Sequence, residues 1–177
     1  MRTIPAGRFT LEPQVAEHAQ EMFRVLSDPA IYEFENAPPE SEAWLHRRFE
    51  LLESRGPADG SEDWLNWVVR LPSGQLAGYV QATVSREGWA YVAYELNSQY
   101  WRQGIGTTAV AAMLQELRAV YRVREFVAVL KGKNYRSRAL LLSLGFQDGS
   151  AAQVERHRDE QDEIVMVLAQ GTVEHAA

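Results

Sequence analysis

The 177-residue sequence predicts an α/β (α+β) domain whose central mixed, mostly antiparallel sheet is flanked by helices. Three observations predict it. Two helix-spaced apolar patterns open the chain, three apolar segments divided by turn residues follow, and the second half alternates strand, helix, strand, helix, strand. The length suits one folded unit over residues 1–170, with 171–177 as an aperiodic tail.

Arg8 to Leu11 has the composition of a short strand. Val15, Ala19, Met22, Phe23 and Leu26 then recur at helical spacing until Asp28-Pro29 stops them. Pro38-Pro39 breaks the chain, Ser41 can cap, and Leu45, Phe49 and Leu52 mark a second helix ending near Ser54. Residues 55–63 read as a polar loop.

Segments 64–71, 75–86 and 89–97 are apolar and are divided by Pro72-Ser73-Gly74 and by Glu87-Gly88, the pattern of an antiparallel meander. Beyond Gly104 and Gly106, Val110, Met113, Leu114 and Leu117 share one helical face, and 125–131 is a further strand. Strand, helix, strand implies a parallel crossover. Leu140, Leu141 and Leu144 stripe another helix, which Gly145 ends as a left-handed cap, and 164–168 is the last strand. Residues 147–162 read as a loop that includes His157.

Composition excludes several classes of function. A net charge of −6 repels rather than neutralises nucleic acid. No apolar run approaches the roughly 20 residues of a membrane span, and Met1 to Thr10 lacks a signal peptide's apolar stretch, so a cytoplasmic protein with no membrane partner is expected. With no cysteine there is no disulfide, thiolate metal site or Cys nucleophile. His18, His46, His157 and His175 lack metal-pair spacing, and no metal is expected.

The stretch Tyr91 to Thr107 runs from a strand through Gly104 and Gly106 into a helix start. Glycines let the backbone approach a ligand, and the unpaired amides of a first helical turn point at any anion there, such as a pyrophosphate. The dinucleotide fingerprint's third glycine is missing, and there is no Gly-Lys-Ser/Thr phosphate loop. A Ser-His-Asp hydrolase is disfavoured, because no G-x-S-x-G elbow occurs and Ser143-Leu144-Gly145 lacks the preceding strand that an exposed nucleophile needs.

Arg102-Gln103-Gly104-Ile105-Gly106-Thr107 is similar to the tail of the Q/R-x-x-G-x-G/A pyrophosphate motif of the GNAT acetyltransferase superfamily, and the order of elements resembles that superfamily over nearly the whole chain. Tyr100-Trp101 is closer to its RimJ/RimL-like branch, with Trp101 where many members have Gln or Arg. Asn134-Tyr135-Arg136-Ser137 followed by a Leu-rich helix and Gly145-Phe146 resembles that branch's N-x-x-S…G-F signature.

The resemblance implies acetyl-CoA as co-substrate and direct attack by an amine in a ternary complex. It implies that Arg102, Gln103, Gly104, Ile105, Gly106 and Thr107 hold the pyrophosphate and that Asn134 and Ser137 contact the pantetheine arm. A backbone amide near Leu96 or Asn97, where the family's strand carries a bulge, would bind the thioester carbonyl. Splaying of that strand from 125–131 would open the slot. The branch suggests a protein N-terminal amine as acceptor. A small-molecule amine such as an antibiotic or polyamine, and an acyl-CoA-binding module without turnover, stay open, as does a homodimer.

Glu95 is the candidate base, since alternation sets it on one strand face with Tyr91 and Ala93, and apolar surroundings raise a carboxyl pKa. Glu33 and Glu35 are its rivals. The family's general-acid tyrosine position holds Leu141 here, which leaves Ser137 or Tyr135 to assist a thiolate that needs little help. Some of Lys131, Lys133, Arg136 and Arg138 are expected to face the cofactor's phosphates, the rest solvent. Trp44, Trp64 and Trp67 are divided between acceptor pocket and core.

Overall fold

The computed structural model describes residues 1–169; the expected tail lies outside the described residues. Strand β1 (Ile4–Ala6) turns at Gly7, which has a φ of 63°, and pairs with β2 (Phe9–Pro13). A single strand was expected here. Three residues with Pro5 at their centre are too short for an alternation to show, and proline suits the sheet edge that β1 occupies.

Helix α1 (Ala19–Leu26) and helix α2 (Glu42–Leu52) follow, and Ser41 caps the second by accepting from the Trp44 amide at 3.1 Å. Met22, Val25, Leu26, Leu45 and Phe49 pack the pair against Val68 and Leu76. The meander is β3 (Glu62–Arg70), β4 (Leu76–Ser85) and β5 (Trp89–Leu96). Then come α3 (Ile105–Tyr121), β6 (Glu125–Lys131), α4 (Tyr135–Ser143), β7 (Gln147–Asp148), α5 (Ala151–His157) and β8 (Glu163–Ala169). No described helix is long and apolar enough to cross a membrane.

Among the described residues eight strands form one sheet in the order β1-β2-β3-β4-β5-β6-β8-β7, in which β5 and β6 are the one parallel pair. One face carries Leu65, Trp67, Val80, Ala82 and Val92, against which α3 packs Val110, Met113 and Leu117 in the main core. Residues of opposite parity face the α1–α2 pair.

The seam between β5 and β6 is closed only at its start. Trp89, Ala90 and Tyr91 pair with Glu125, Phe126 and Val127, and then the ladder ends although both strands continue. Each is committed elsewhere: β5 to β4 as far as Gly78–Leu96, and β6 to β8 along its whole length. The expected splay is therefore present.

The stretch 147–162 is not the loop expected from sequence. It contains β7 and α5, whose start is a reciprocal cap between Ser150 and Gln153. In α5 only Val154 and His157 pack inward, so no apolar stripe marks it. His157 is buried, and its Nδ1 lies 2.9 Å from the Tyr91 hydroxyl, with burial and Arg156 lowering its pKa.

Candidate active site

The open seam is the floor of a cavity of about 660 Å³ bounded by the ends of β5 and β6, the start of α3, one side of α4 and residues 31–36. Among the expected residues, Glu95, Leu96, Arg102, Gly104, Ile105, Gly106, Thr107, Asn134 and Ser137 line it. Gln103 and Asn97 do not.

At the α3 start, Gly104 occupies the cap position with a φ of 75° and has no side chain to satisfy the first amides. The caps of α2, α4 and α5 do satisfy theirs, through Ser41, Asn134 and Ser150. Only from Thr108 does the helix ladder begin, with its amide 3.0 Å from the Gly104 carbonyl. The amides of Ile105, Gly106 and Thr107 are thus left without intrahelical acceptors at the cavity wall.

The two glycines serve different ends. A Cβ on Gly104 would meet nothing within 4 Å, so its value is the left-handed backbone and an open approach. A Cβ on Gly106 would come 3.0 Å from Leu140 Cδ1 and 3.4 Å from Leu96 Cδ1, so this glycine lets α3 pack against α4 and β5. Gln103 turns away, donating to the Gln99 carbonyl at 2.8 Å. Trp101 donates from Nε1 to the Leu96 carbonyl at 2.8 Å, and pins the loop to the strand end.

The β5 end corrects the expected carbonyl site. The Asn97 amide donates to the Ala77 carbonyl at 2.9 Å, and its carboxamide is tied to the Val25 carbonyl and the Gln99 amide. Its donors are spent inside the fold. The β4–β5 register runs without a shift through Gly78–Leu96, so no bulge is present between these strands. Because Asn97 and Ala77 are a bonded pair, the adjoining Leu96 directs its amide away from β4, into the open seam.

Glu95 and Tyr94 then project to opposite sheet faces. Glu95 lies beside Tyr79 of β4 on the α1–α2 face, where Glu35 and Asn36 also line the cavity. Burial raises its pKa above the usual 4.5; Tyr79 opposes the shift and the Glu35 charge adds to it. Glu35 accepts from Asn134 Nδ2 at 3.1 Å, whereas Glu33 is paired with Arg136.

On the other face, the Tyr94 hydroxyl sits 2.8 Å from Ser137 Oγ, and burial pushes its pKa up to about 12. Tyr94 was missed in the sequence, where it reads as one more apolar strand residue. Asn134 caps α4 by accepting from the Ser137 amide at 3.1 Å, and Leu141 is in the main core. Tyr135 is exposed and meets Phe34 edge-on.

Of the four basic residues expected near phosphate, only Arg136 lines the cavity. Its guanidinium lies 4.6 Å from the Trp101 ring centroid and 4.8 Å from that of Phe34. Lys131 is held by Glu160 and Asp162, and Arg138 by Asp148, while Lys133 is exposed. Trp67 is a core residue, donating to the Arg2 carbonyl, and Trp44 is on the surface.

Residues 8–147 match the acetyltransferase (GNAT) domain model. No curated protein sequence matches the chain. Among solved structures it is similar to RimL, a ribosomal L7/L12 alpha-N-protein acetyltransferase in complex with coenzyme A, at 17% identity and a TM-score of 0.77 over 94% of this chain and 97% of that one. It is also similar to the microcin C7 self-immunity acetyltransferase MccE in complex with acetyl-CoA and AMP (17%, 0.76, 92% and 93%). RimJ of Mycobacterium smegmatis, in complex with CoA-disulfide, matches at 20%, 0.74, 94% and 84%. The chain belongs to the GNAT acetyltransferase family, whose members take their acetyl group from acetyl-CoA.

Proposed function

We propose that the protein acetylates the N-terminal amine of another protein by direct attack in a ternary complex. The observation that carries this reading is the pairing of two neighbours at the open seam. Leu96 offers an amide in the seam, and Glu95 offers a partly buried carboxyl on the face opposite α3 and α4.

The cavity fits the donor. Three amides without acceptors beside the open approach at Gly104 suit a diphosphate, and the slot between β5 and β6 suits an extended arm. Acetyl-CoA supplies the acetyl group as a thioester. The amides of Ile105, Gly106 and Thr107 would hold its diphosphate, and Asn134 and Ser137 its arm. The Leu96 amide would hold the carbonyl oxygen and stabilise charge developing there.

The acceptor enters from the other face of the sheet, past Glu35 and Tyr79. Glu95, ionised, takes the proton that the amine must lose and returns it to water. The demand is small for an N-terminal amine, since a group with a pKa near 8 is already about one-tenth neutral at pH 7, against roughly one in 2,500 for a lysine-like amine. Ser137 Oγ, hydrogen-bonded to the Tyr94 hydroxyl, faces the departing sulfur. The likeness to RimL, an alpha-N-protein acetyltransferase, supports the same acceptor class.

The test is incubation with acetyl-CoA and a panel of peptides, polyamines and aminoglycosides, followed by thiol release and mass spectrometry. One acetyl group on peptide N-terminal amines is expected. Acetylation of small amines alone would overturn the acceptor, and tight CoA binding with no turnover of any amine would overturn the activity.

A further inference from the structure

Beside the acceptor side of the main cavity lies a second one of about 200 Å³, lined by Arg48 of α2, Trp64 and Asn66 of β3, and Gln81 and Thr83 of β4. Gln81 lines both cavities. The pairs Trp64–Thr83 and Asn66–Gln81 lie on the same sheet face as Tyr79 and Glu95, one step further along the strands.

Asn66 is the unusual member. It is only 4% exposed, yet among the described residues its carboxamide makes no hydrogen bond, although its backbone carbonyl accepts from Gln14. That carboxamide is not among the fully shielded unpartnered polar atoms, which are Gln14 Nε2 and Arg55 Nη1 among the described residues, so it opens onto the cavity, where a ligand can satisfy it. The half-buried Gln81 carboxamide and the exposed Arg48 guanidinium, which also line the cavity, likewise have no hydrogen-bond or ion-pair partner among the described residues. Two carboxamides match the donor and acceptor of a peptide bond, and a free guanidinium matches a carboxylate.

We propose that this second cavity is an acceptor subsite that reads the peptide beyond its acetylated end. Asn66 and Gln81 bind a backbone amide, and Arg48 binds an acidic side chain. The inference rests on the peptide-acceptor reading above. Two strand spacings across and three residues along the sheet separate Leu96, level with Gly78, from Asn66, level with Gln81, on the order of 14 Å, the reach of about four extended residues. The acidic residue is therefore the third or fourth of the substrate.

The test uses acetyl-CoA and tetrapeptides that share their first two residues and carry Glu, Gln or Lys at the third or fourth. Wild type is expected to favour Glu over Gln by about tenfold in kcat/KM, the low end for a charge-assisted hydrogen bond. Arg48→Gln should erase that preference with CoA affinity unchanged. Asn66→Leu should slow tetrapeptides severalfold, spare a dipeptide amide and leave Tm equal or higher, an outcome a merely structural asparagine would not give.

Wild-type indifference to charge, or a preference that survives Arg48→Gln, overturns the subsite. If no peptide is acetylated, the acceptor reading fails, and calorimetry of the Glu tetrapeptide on the CoA-loaded protein judges the subsite alone. Binding that Arg48→Gln abolishes sustains it. No binding ends it.

Discussion

The Tyr94 hydroxyl hydrogen-bonds Ser137 Oγ at 2.8 Å, joining a strand residue to the first turn of α4 across the slot. Leu141 is packed into the core and offers no hydroxyl, whereas this pair brings two hydroxyls to the slot wall; of the other α4 hydroxyls that line it, Tyr135 is exposed and Ser143 donates to the Leu140 carbonyl. Tyr94→Phe is expected to lower kcat about fivefold, the equivalent of roughly 1 kcal/mol for one hydrogen bond, with the KM for acetyl-CoA nearly unchanged. Steady-state kinetics at saturating acceptor checks this.

Glu95→Gln should lower kcat about a hundredfold, and the rise of kcat/KM with pH through the raised carboxyl pKa should vanish with it. A pH–rate profile of both proteins measures the effect. Stability moves the opposite way. The folded-state pKa lies above the unfolded 4.5, so the fold is favoured below 4.5 and loses stability as pH rises through the folded value. The variant should melt at or above the wild-type temperature at pH 8 and show no such advantage near pH 4.

Gly104 separates backbone from charge. Gly104→Ala must adopt a left-handed conformation at a cost of about 1–2 kcal/mol, and calorimetric CoA affinity should fall only modestly. Gly104→Glu carries the same backbone cost and adds a carboxylate where the diphosphate sits, so CoA binding should drop by at least about a hundredfold at an equal Tm.

Arg136 ties residues 33–36 to α4, paired with Glu33 and stacked between Trp101 and Phe34. Arg136→Ala should speed hydrogen exchange of residues 29–36 and raise the acceptor KM, with the global Tm falling by a few degrees at most. Exchange mass spectrometry reads the first and kinetics the second. Trp101, in place of a charged or amide residue, has become part of this clasp.

Long periodic segments were legible from sequence: α2 and the meander lie within two residues of their expected bounds, and α3 buries the apolar face expected of it, because each presents a repeating pattern. Strand β1 and α5 were not, since a three-residue strand and a seven-residue helix with two inward side chains carry no period. The Ser150–Gln153 spacing was the available signal for α5. Glu95 and the α3 start were legible because alternation and glycine act locally. Tyr94, the spent amide of Asn97 and the dispersal of the basic cluster depend on partners 10 to 43 residues away.

A crystal structure of the acetyl-CoA complex reads the arrangement most directly. The diphosphate is expected about 2.7–3.2 Å from the amides of Ile105, Gly106 and Thr107, with the thioester oxygen at the Leu96 amide. A cofactor whose diphosphate lies elsewhere, or whose thioester sits away from the seam between β5 and β6, would contradict it.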